Sequence, residues 1–249
     1  SPLAAPMLSK RRKSRRLLAT VASRLYGQHI DPARSFFISL GGRYEYRNKG
    51  IDLFIESLHH FAESYTGDRD IVAFLLVPAW QAGPRADLQY LLSHPQDEQE
   101  SPLQYPMLSH WLYNTEHDRA VCHIRHRGLD RTDRRVKVVF VPCYLNGLDG
   151  ILDQSYYDLL VGMDLTIYPS YYEPWGYTPL ESVRYGVPTI TTTLAGLRPA
   201  QACAYRRAHG YQHPRDHRGD LPSHRRAACT DARRAEGPAQ ESLRAGALC

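Results

Sequence analysis

Two hydrophobic periods take turns along this chain. Over residues 8–26, Leu17, Leu18, Val21, Leu25 and Tyr26 recur at three-to-four spacing, which predicts a basic helix with one apolar face. Ser35 to Leu40 (SFFISL) is an apolar run of strand length, ended at once by Gly41-Gly42. From Ile51 the helical spacing returns: Ile51, Phe54, Ile55, Leu58, Phe61, Ala62 and Tyr65 form a stripe that Gly67 closes. Asp70 to Pro78 (DIVAFLLVP) and Val136 to Val141 (VKVVFV) are continuous apolar runs, as expected of strands covered on both faces. Residues 84–135 are polar and irregular, and are expected to hold helices and a long insertion. Beyond them, Tyr156 to Met163 predicts a short helix and Leu165 to Tyr168 a fourth strand. Thr178 to Tyr185 predicts another helix and Pro188 to Thr193 a fifth strand. Strands that alternate with helices in this way indicate an α/β fold with an open, mostly parallel, Rossmann-like sheet. The chain thus divides into a basic helical lead-in (1–34), an α/β body (35–196) and a tail (197–249).

Composition changes the picture at the ends. The formal net charge is +5 over 249 residues. Residues 197–249 hold ten arginines, no lysine and five acids, which accounts for the whole surplus, while residues 1–196 are neutral. Within that neutral part, Lys10 to Arg16 supply six positive charges, so the body itself is acidic. The run KRRKSRR reads as a solvated helix face rather than a nucleic-acid arm. No apolar run approaches the ~20 residues of a membrane helix, so a soluble protein without membrane contact is expected. The opening SPLAAPMLSKRRKSRR lacks the hydrophobic core of a signal peptide. Five cysteines do not look like a disulfide framework, which points to a reducing, cytoplasmic setting. Cys122-His123 with His126 offers too few ligands for a zinc site, and Asp149-Gly150 and Asp164 read as turn and helix-end residues rather than metal ligands.

In an open parallel sheet, ligands bind beyond the carboxyl ends of the strands. GGRYEYRNKG (41–50) follows the first strand, and PSYYEPWGYTPLES (169–182) follows the fourth. In the former, Gly41 and Gly42 let backbone approach a ligand. Arg43 and Lys49 add fixed positive charge just before a helix, a combination suited to a diphosphate. In the latter, Glu173 and Glu181 stand eight apart, and Gly176, Tyr177 and Thr178 offer backbone N–H groups at a helix start. A carboxylate, an indole and amides gathered in one loop can hold a sugar hydroxyl, a sugar face and a phosphate.

Those segments, with VPAWQAGPRADL, VKVVFVPCYLNGLDG and YYDLLVGMDLTIYPSYYEPWGYTPLESVRYGVPTITTTLAG, resemble the C-terminal nucleotide-sugar domain of glycogen synthases. The likeness covers residues 8–196 and is greatest to the animal/fungal-type family and its bacterial relatives, retaining glucosyltransferases of the GT-B fold. It implies that Glu173 lies against the donor glucose and Glu181 on the ribose. Arg43 and Lys49 would hold the diphosphate and stabilise the departing nucleotide. Trp175 and Gly176 would line the glucose pocket, Tyr177 and Thr178 would give amides to the distal phosphate, and Tyr156 would stack on the nucleobase. The implied donor is UDP- or ADP-glucose and the implied acceptor an α-1,4-glucan. Neither cofactor nor metal is required, because the fixed cations and a helix N-terminus meet the leaving-group charge. The resemblance also allows a homo-oligomer in the full-length enzyme. A sucrose or trehalose-phosphate type GT-B hexosyltransferase is the competing enzyme reading, disfavoured because PSYYEPWGYTP is closer to the glycogen-synthase form.

The chain departs from that pattern twice. It begins inside it, without the N-terminal acceptor domain, so a fragment that binds donor weakly and transfers little is expected. From Leu197 it continues LRPAQACAYRRAHGYQHPRD, and up to Cys249 has no Val, Ile, Phe, Met or Trp. Arg without Lys, with Ala, His, Pro and Cys, is what GC-rich DNA gives when read out of frame, and a neighbouring frame can restore Phe-Gly after LAG. Residues 197–249 are therefore expected to be a disordered frameshift product. The alternative is an Arg-rich RNA-binding tail that would make the chain a basic, non-catalytic binding protein.

Overall fold

The computed structural model describes residues 4–99, 101–173 and 176–192. In chain order they form α1 (Ala4–Tyr26), β1 (Phe36–Gly41), α2 (Ile51–Ser64), β2 (Ile71–Leu76), β3 (Gln81–Pro84), α3 (Ala86–Ser93), β4 (His110–Leu112) and α4 (Arg119–His126). There follow β5 (Val136–Val141), α5 (Tyr156–Leu160), β6 (Leu165–Tyr168), α6 (Tyr177–Arg184) and β7 (Thr189–Thr191). The tail expected to be a frameshift product lies outside the described residues.

Five strands form a parallel sheet in the order β5-β2-β1-β6-β7. β1 and β2 run in register from Phe36 opposite Ile71 to Gly41 opposite Leu76, and β2 pairs equally fully with β5. The side-chain period of two then sends alternate residues to opposite faces. Phe37, Val72 and Phe74 pack with α1, α3 and α5, through residues such as Leu18, Leu88 and Leu159. Ile38, Ala73 and Leu75 pack with α2 and α4, through Phe54, Leu58, Val121 and Ile124. Both faces are covered, which is why the strands read as unbroken apolar runs. Strand order reverses between β1 and β6, and the loops that leave those two strands are GGRYEYRNKG (41–50) and PSYYEPWGYTPLES (169–182).

Two expectations change. The region 84–135 holds α3 and α4, but also β4, which pairs with β3 in a separate antiparallel two-stranded sheet. QAGP and HWL are too short to show a period, and QAGP also carries Gly and Pro. The second change concerns the basic run, of which only part is solvated. Arg11 and Arg15 sit four apart on the inner side of α1, and both reach the carboxylate of Asp164, at 2.6 and 2.7 Å. Arg11 also donates to the carbonyls of Val161 and Met163, and Arg15 to those of Gly162, Pro32 and Ser35. Asp164 in turn accepts from the backbone N–H of Phe37 in β1. Ser14, between the two arginines, is buried and donates to Leu159 O. One face of the charged helix is therefore an anchor to the sheet.

Candidate donor site

The two loops meet at the carboxyl ends of β1 and β6. Gly50 takes a left-handed backbone (φ 67°) as the N-cap of α2, and a Cβ there would run into the Pro169 carbonyl. Just before it, Asn48 O accepts from the N–H of Tyr171, 2.9 Å away. These backbone contacts bring Lys49 to Glu173, and Lys49 Nζ donates to Glu173 Oε2. The pair is only 11% and 15% exposed, so the ammonium and carboxylate interact with little screening by water. Arg43 is different: it stands 77% exposed at the loop's rim, with Nη1 2.8 Å from Glu45 Oε1. Gly42 lies beside the Lys49 stem, with extended-side positive φ of 148°.

Gly176 is the N-cap of α6, again left-handed (φ 60°), and no side chain caps that end. Thr178 stands in the helix's first turn, and Pro179 after it brings no N–H at all. Tyr177 is exposed and Thr178 partly buried. Further along the same helix, Glu181 Oε1 accepts from the hydroxyl of Tyr157 at 2.8 Å. Trp175 lies outside the described residues.

Tyr156 sits under β1. A side chain at Gly41 would come within 2.9 Å of its ring, so the glycine is needed for this close approach. Its hydroxyl pairs with Tyr168 Oη (3.0 Å), which pairs with Ser182 Oγ (2.7 Å). This short hydroxyl chain ties α5, β6 and α6 together. Burial raises the pKa of both tyrosines, so both stay protonated and able to donate. The neighbouring Tyr157 is the more exposed ring, at 41%, and stacks on Tyr185 with centroids 5.3 Å apart. Sequence reading singled out Tyr156 and passed over Tyr157, Tyr168 and Ser182. The doublet Tyr156-Tyr157 at a helix start was the signal that both faces of that turn are used.

The possible metal ligands divide clearly. His123 spends its ring nitrogens on Tyr46 Oη and Glu56 Oε1, both 2.6 Å away, and the Cys122 thiol lies against Glu116 O. Cys122, His123 and His126 thus share a helix without sharing a ligand site. His110, Cys143 and Asp149 do converge, with one candidate ligand atom of each within 4.8 Å of the others. The polar atoms of His110 and Asp149 are already occupied. His110 Nε2 faces Asp149 O at 2.9 Å, and the Asp149 carboxylate accepts from the amides of Ile151, Leu152 and Asp153. Burial lowers the His110 pKa, and burial with the nearby Asp149 pushes the Cys143 thiol up to about 12. The trio ties β4 to the 142–155 loop, in keeping with Asp149-Gly150 as turn residues. None of the helices among the described residues is long and apolar enough to cross a membrane.

The sequence profile described as "Glycogen synthase" matches residues 9–87 and 96–203. The glycogen [starch] synthase of Neurospora crassa is 29% identical over 71% of this chain and 33% of its own length. Isoform 1 of the glycogen [starch] synthase of Saccharomyces cerevisiae is 31% identical over 68% of this chain and 32% of its own length. Among solved structures, the C-terminal domain of a glycosyl transferase group 1 family protein from Francisella tularensis aligns over 72% of each chain, at 16% identity and a TM-score of 0.37. The chain spans about a third of the length of the curated relatives it matches.

Proposed function

Because the chain belongs to the glycogen synthase family, we propose that its sheet carries the donor half of a retaining glucosyltransferase acting on an α-1,4-glucan. The observation that carries this reading is the Lys49–Glu173 pair where strand order reverses, with the N-terminus of α6 three residues further along the chain. In transfer from UDP- or ADP-glucose, negative charge develops on the departing diphosphate. Lys49 supplies a mostly buried ammonium at that point, and Arg43 an exposed guanidinium at the rim. The Gly176–Thr178 backbone adds the positive end of α6. Fixed, preoriented charges of this kind lower a barrier because they need no rearrangement as the reaction proceeds. Glu173, held by Lys49, orients a hydroxyl of the donor glucose beside Trp175 and Gly176. Glu181, braced by Tyr157, takes the ribose, and the Tyr156–Tyr157 turn takes the base. No metal is invoked, since the cations named meet the leaving-group charge. A cytoplasmic setting and a homo-oligomer of the full-length enzyme belong to the same reading.

The test is a calorimetric titration of the whole chain with UDP-glucose and with ADP-glucose. Binding of one of them in the millimolar range, weakened about tenfold or more by Lys49→Ala and by Glu173→Ala, is the expected result. No binding of either donor at that concentration would overturn the reading.

A further inference from the structure

The 41–50 loop brings Arg43 and Lys49 to the donor, yet both of its ends are glycine. Gly42 (φ 148°) and Gly50 (φ 67°) take backbone conformations that other residues rarely adopt, so neither end stiffens the loop by itself. Between them, two tyrosines leave the loop towards α4. The Tyr44 hydroxyl donates to the carboxylate of Asp118, the N-cap of α4, at 2.7 and 2.8 Å. The Tyr46 hydroxyl lies 2.6 Å from His123 Nδ1 in the second turn of that helix, and His123 Nε2 lies 2.6 Å from Glu56 Oε1 on α2. The same Glu56 oxygen accepts from Arg127 Nε and Nη2, at 2.9 and 2.8 Å. We propose that Tyr46 and His123 are positioning residues of the donor site: the Tyr46–His123–Glu56 chain holds the middle of the loop and thereby sets Lys49 against Glu173. The proposal rests on the donor reading above and extends it to side chains that act through Lys49.

With a neutral His123 ring, the hydrogens of this chain run only one way. Desolvation acts to raise the Glu56 pKa, but hydrogen bonds from His123 and Arg127 outweigh it and hold the group below its ordinary value, as a carboxylate that only accepts. His123 must then carry its hydrogen on Nε2, which leaves Nδ1 as an acceptor. Burial, with Asp52 next, raises the Tyr46 pKa, so the hydroxyl keeps the proton that Nδ1 accepts. Each link thus pairs a donor with an acceptor. The Arg119 guanidinium, 4.3 Å over the Tyr46 ring, holds the plane of that ring.

The connection from Tyr46 to Lys49 is short. The Tyr46 carbonyl accepts from the amides of Ile51 (3.0 Å) and Asp52 (3.3 Å), the first two residues of α2, and Lys49 N donates to Glu45 O at 2.8 Å. Residues 45–50 are therefore wound tightly, and a swing of Tyr46 away from α4 carries the Lys49 backbone with it. A shift of about 1 Å is enough to cost a preorganised site much of its effect. A bond that served only to hold α4 would, on removal, lower stability and leave donor affinity intact.

Calorimetric titration of the whole chain with UDP- and ADP-glucose tests this, beside hydrogen–deuterium exchange of the peptides that span 43–50. Tyr46→Phe keeps the ring and its packing but removes the hydroxyl. It should weaken donor binding about fivefold and speed exchange across the loop, at a urea midpoint close to the parent's. His123→Ala should weaken binding equally. His123→Gln, whose amide can again accept from Tyr46 and donate to Glu56, should recover most of the loss. In a Lys49→Ala background, Tyr46→Phe should have no further effect on donor affinity. Parental affinity in both Tyr46→Phe and His123→Ala would overturn the proposal and leave the donor reading standing. The same loss from Tyr46→Phe with and without Lys49 would overturn it too. Absence of donor binding by the parent chain would instead strike the donor reading. Loop exchange then decides this proposal, upheld by faster exchange in Tyr46→Phe and overturned by an unchanged rate.

Discussion

Lys49 and Glu173 are 124 positions apart and form an ion pair in which both side chains are mostly buried. Removing one partner leaves an ion in a poorly hydrated site. Lys49→Met should therefore lower stability by about 1–3 kcal/mol, below the full cost of a broken buried pair because water still reaches both groups. The double variant Lys49→Met/Glu173→Gln should recover part of that loss, as read from urea midpoints. Both residues were legible in the sequence, because glycine-flanked bases and a loop carboxylate before a helix define their chemistry. Their pairing was not, since nothing local in either loop encodes contact with the other. Tyr156 shows the opposite limit. The family resemblance marked it, yet the bond that fixes its hydroxyl, to Tyr168, depends on how α5 crosses β6.

Among the elements, α1 and the turn before α2 have the clearest mechanical roles. Asp164 collects two guanidinium groups and an amide while only 11% exposed. Asp164→Ala would strand two charges and detach the inner face of α1, a loss of about 3–5 kcal/mol in urea melts. Arg15→Lys should rescue little, because an ammonium cannot reproduce the forked bonds to Pro32 O, Gly162 O and Asp164. Gly50→Ala should cost about 1–3 kcal/mol from its left-handed backbone alone, with more from the Pro169 carbonyl. It should also weaken donor binding by shifting Lys49. The strands and the longer helices were visible in the sequence because burial on one or two faces imposes a period. The basic run was misread in part because arginines at i and i+4 look alike whether they face water or a carboxylate. The β3–β4 ribbon left no trace because its strands are held by a partner, not by a pattern.

At the scale of the whole molecule, charge and function separate. The surplus of five positive charges lies in residues 197–249, while the groups assigned to the donor lie between 42 and 181. Truncation after Gly196 should leave donor affinity unchanged, measured by the same calorimetry. Stability should also respond to acid through His110. Its pKa in the folded chain lies below the ordinary 6.5, chiefly through burial, so the unfolded chain takes up a proton that the folded one resists. The stabilisation is complete above pH 6.5 and declines as pH falls below it, by at most about 1.4 kcal/mol per pH unit. His110→Gln should flatten that part of the curve in urea melts between pH 7 and 5. The sheet order has a further consequence, in time rather than in space. β5, β2 and β1 can pair as soon as residue 141 is available, whereas the β1–β6 junction must wait for a strand more than 120 residues after β1. Contacts between distant segments close late in folding. On dilution from urea, the far-ultraviolet signal should therefore recover first, and the chain should gain its grip on a nucleotide sugar only in the last kinetic phase.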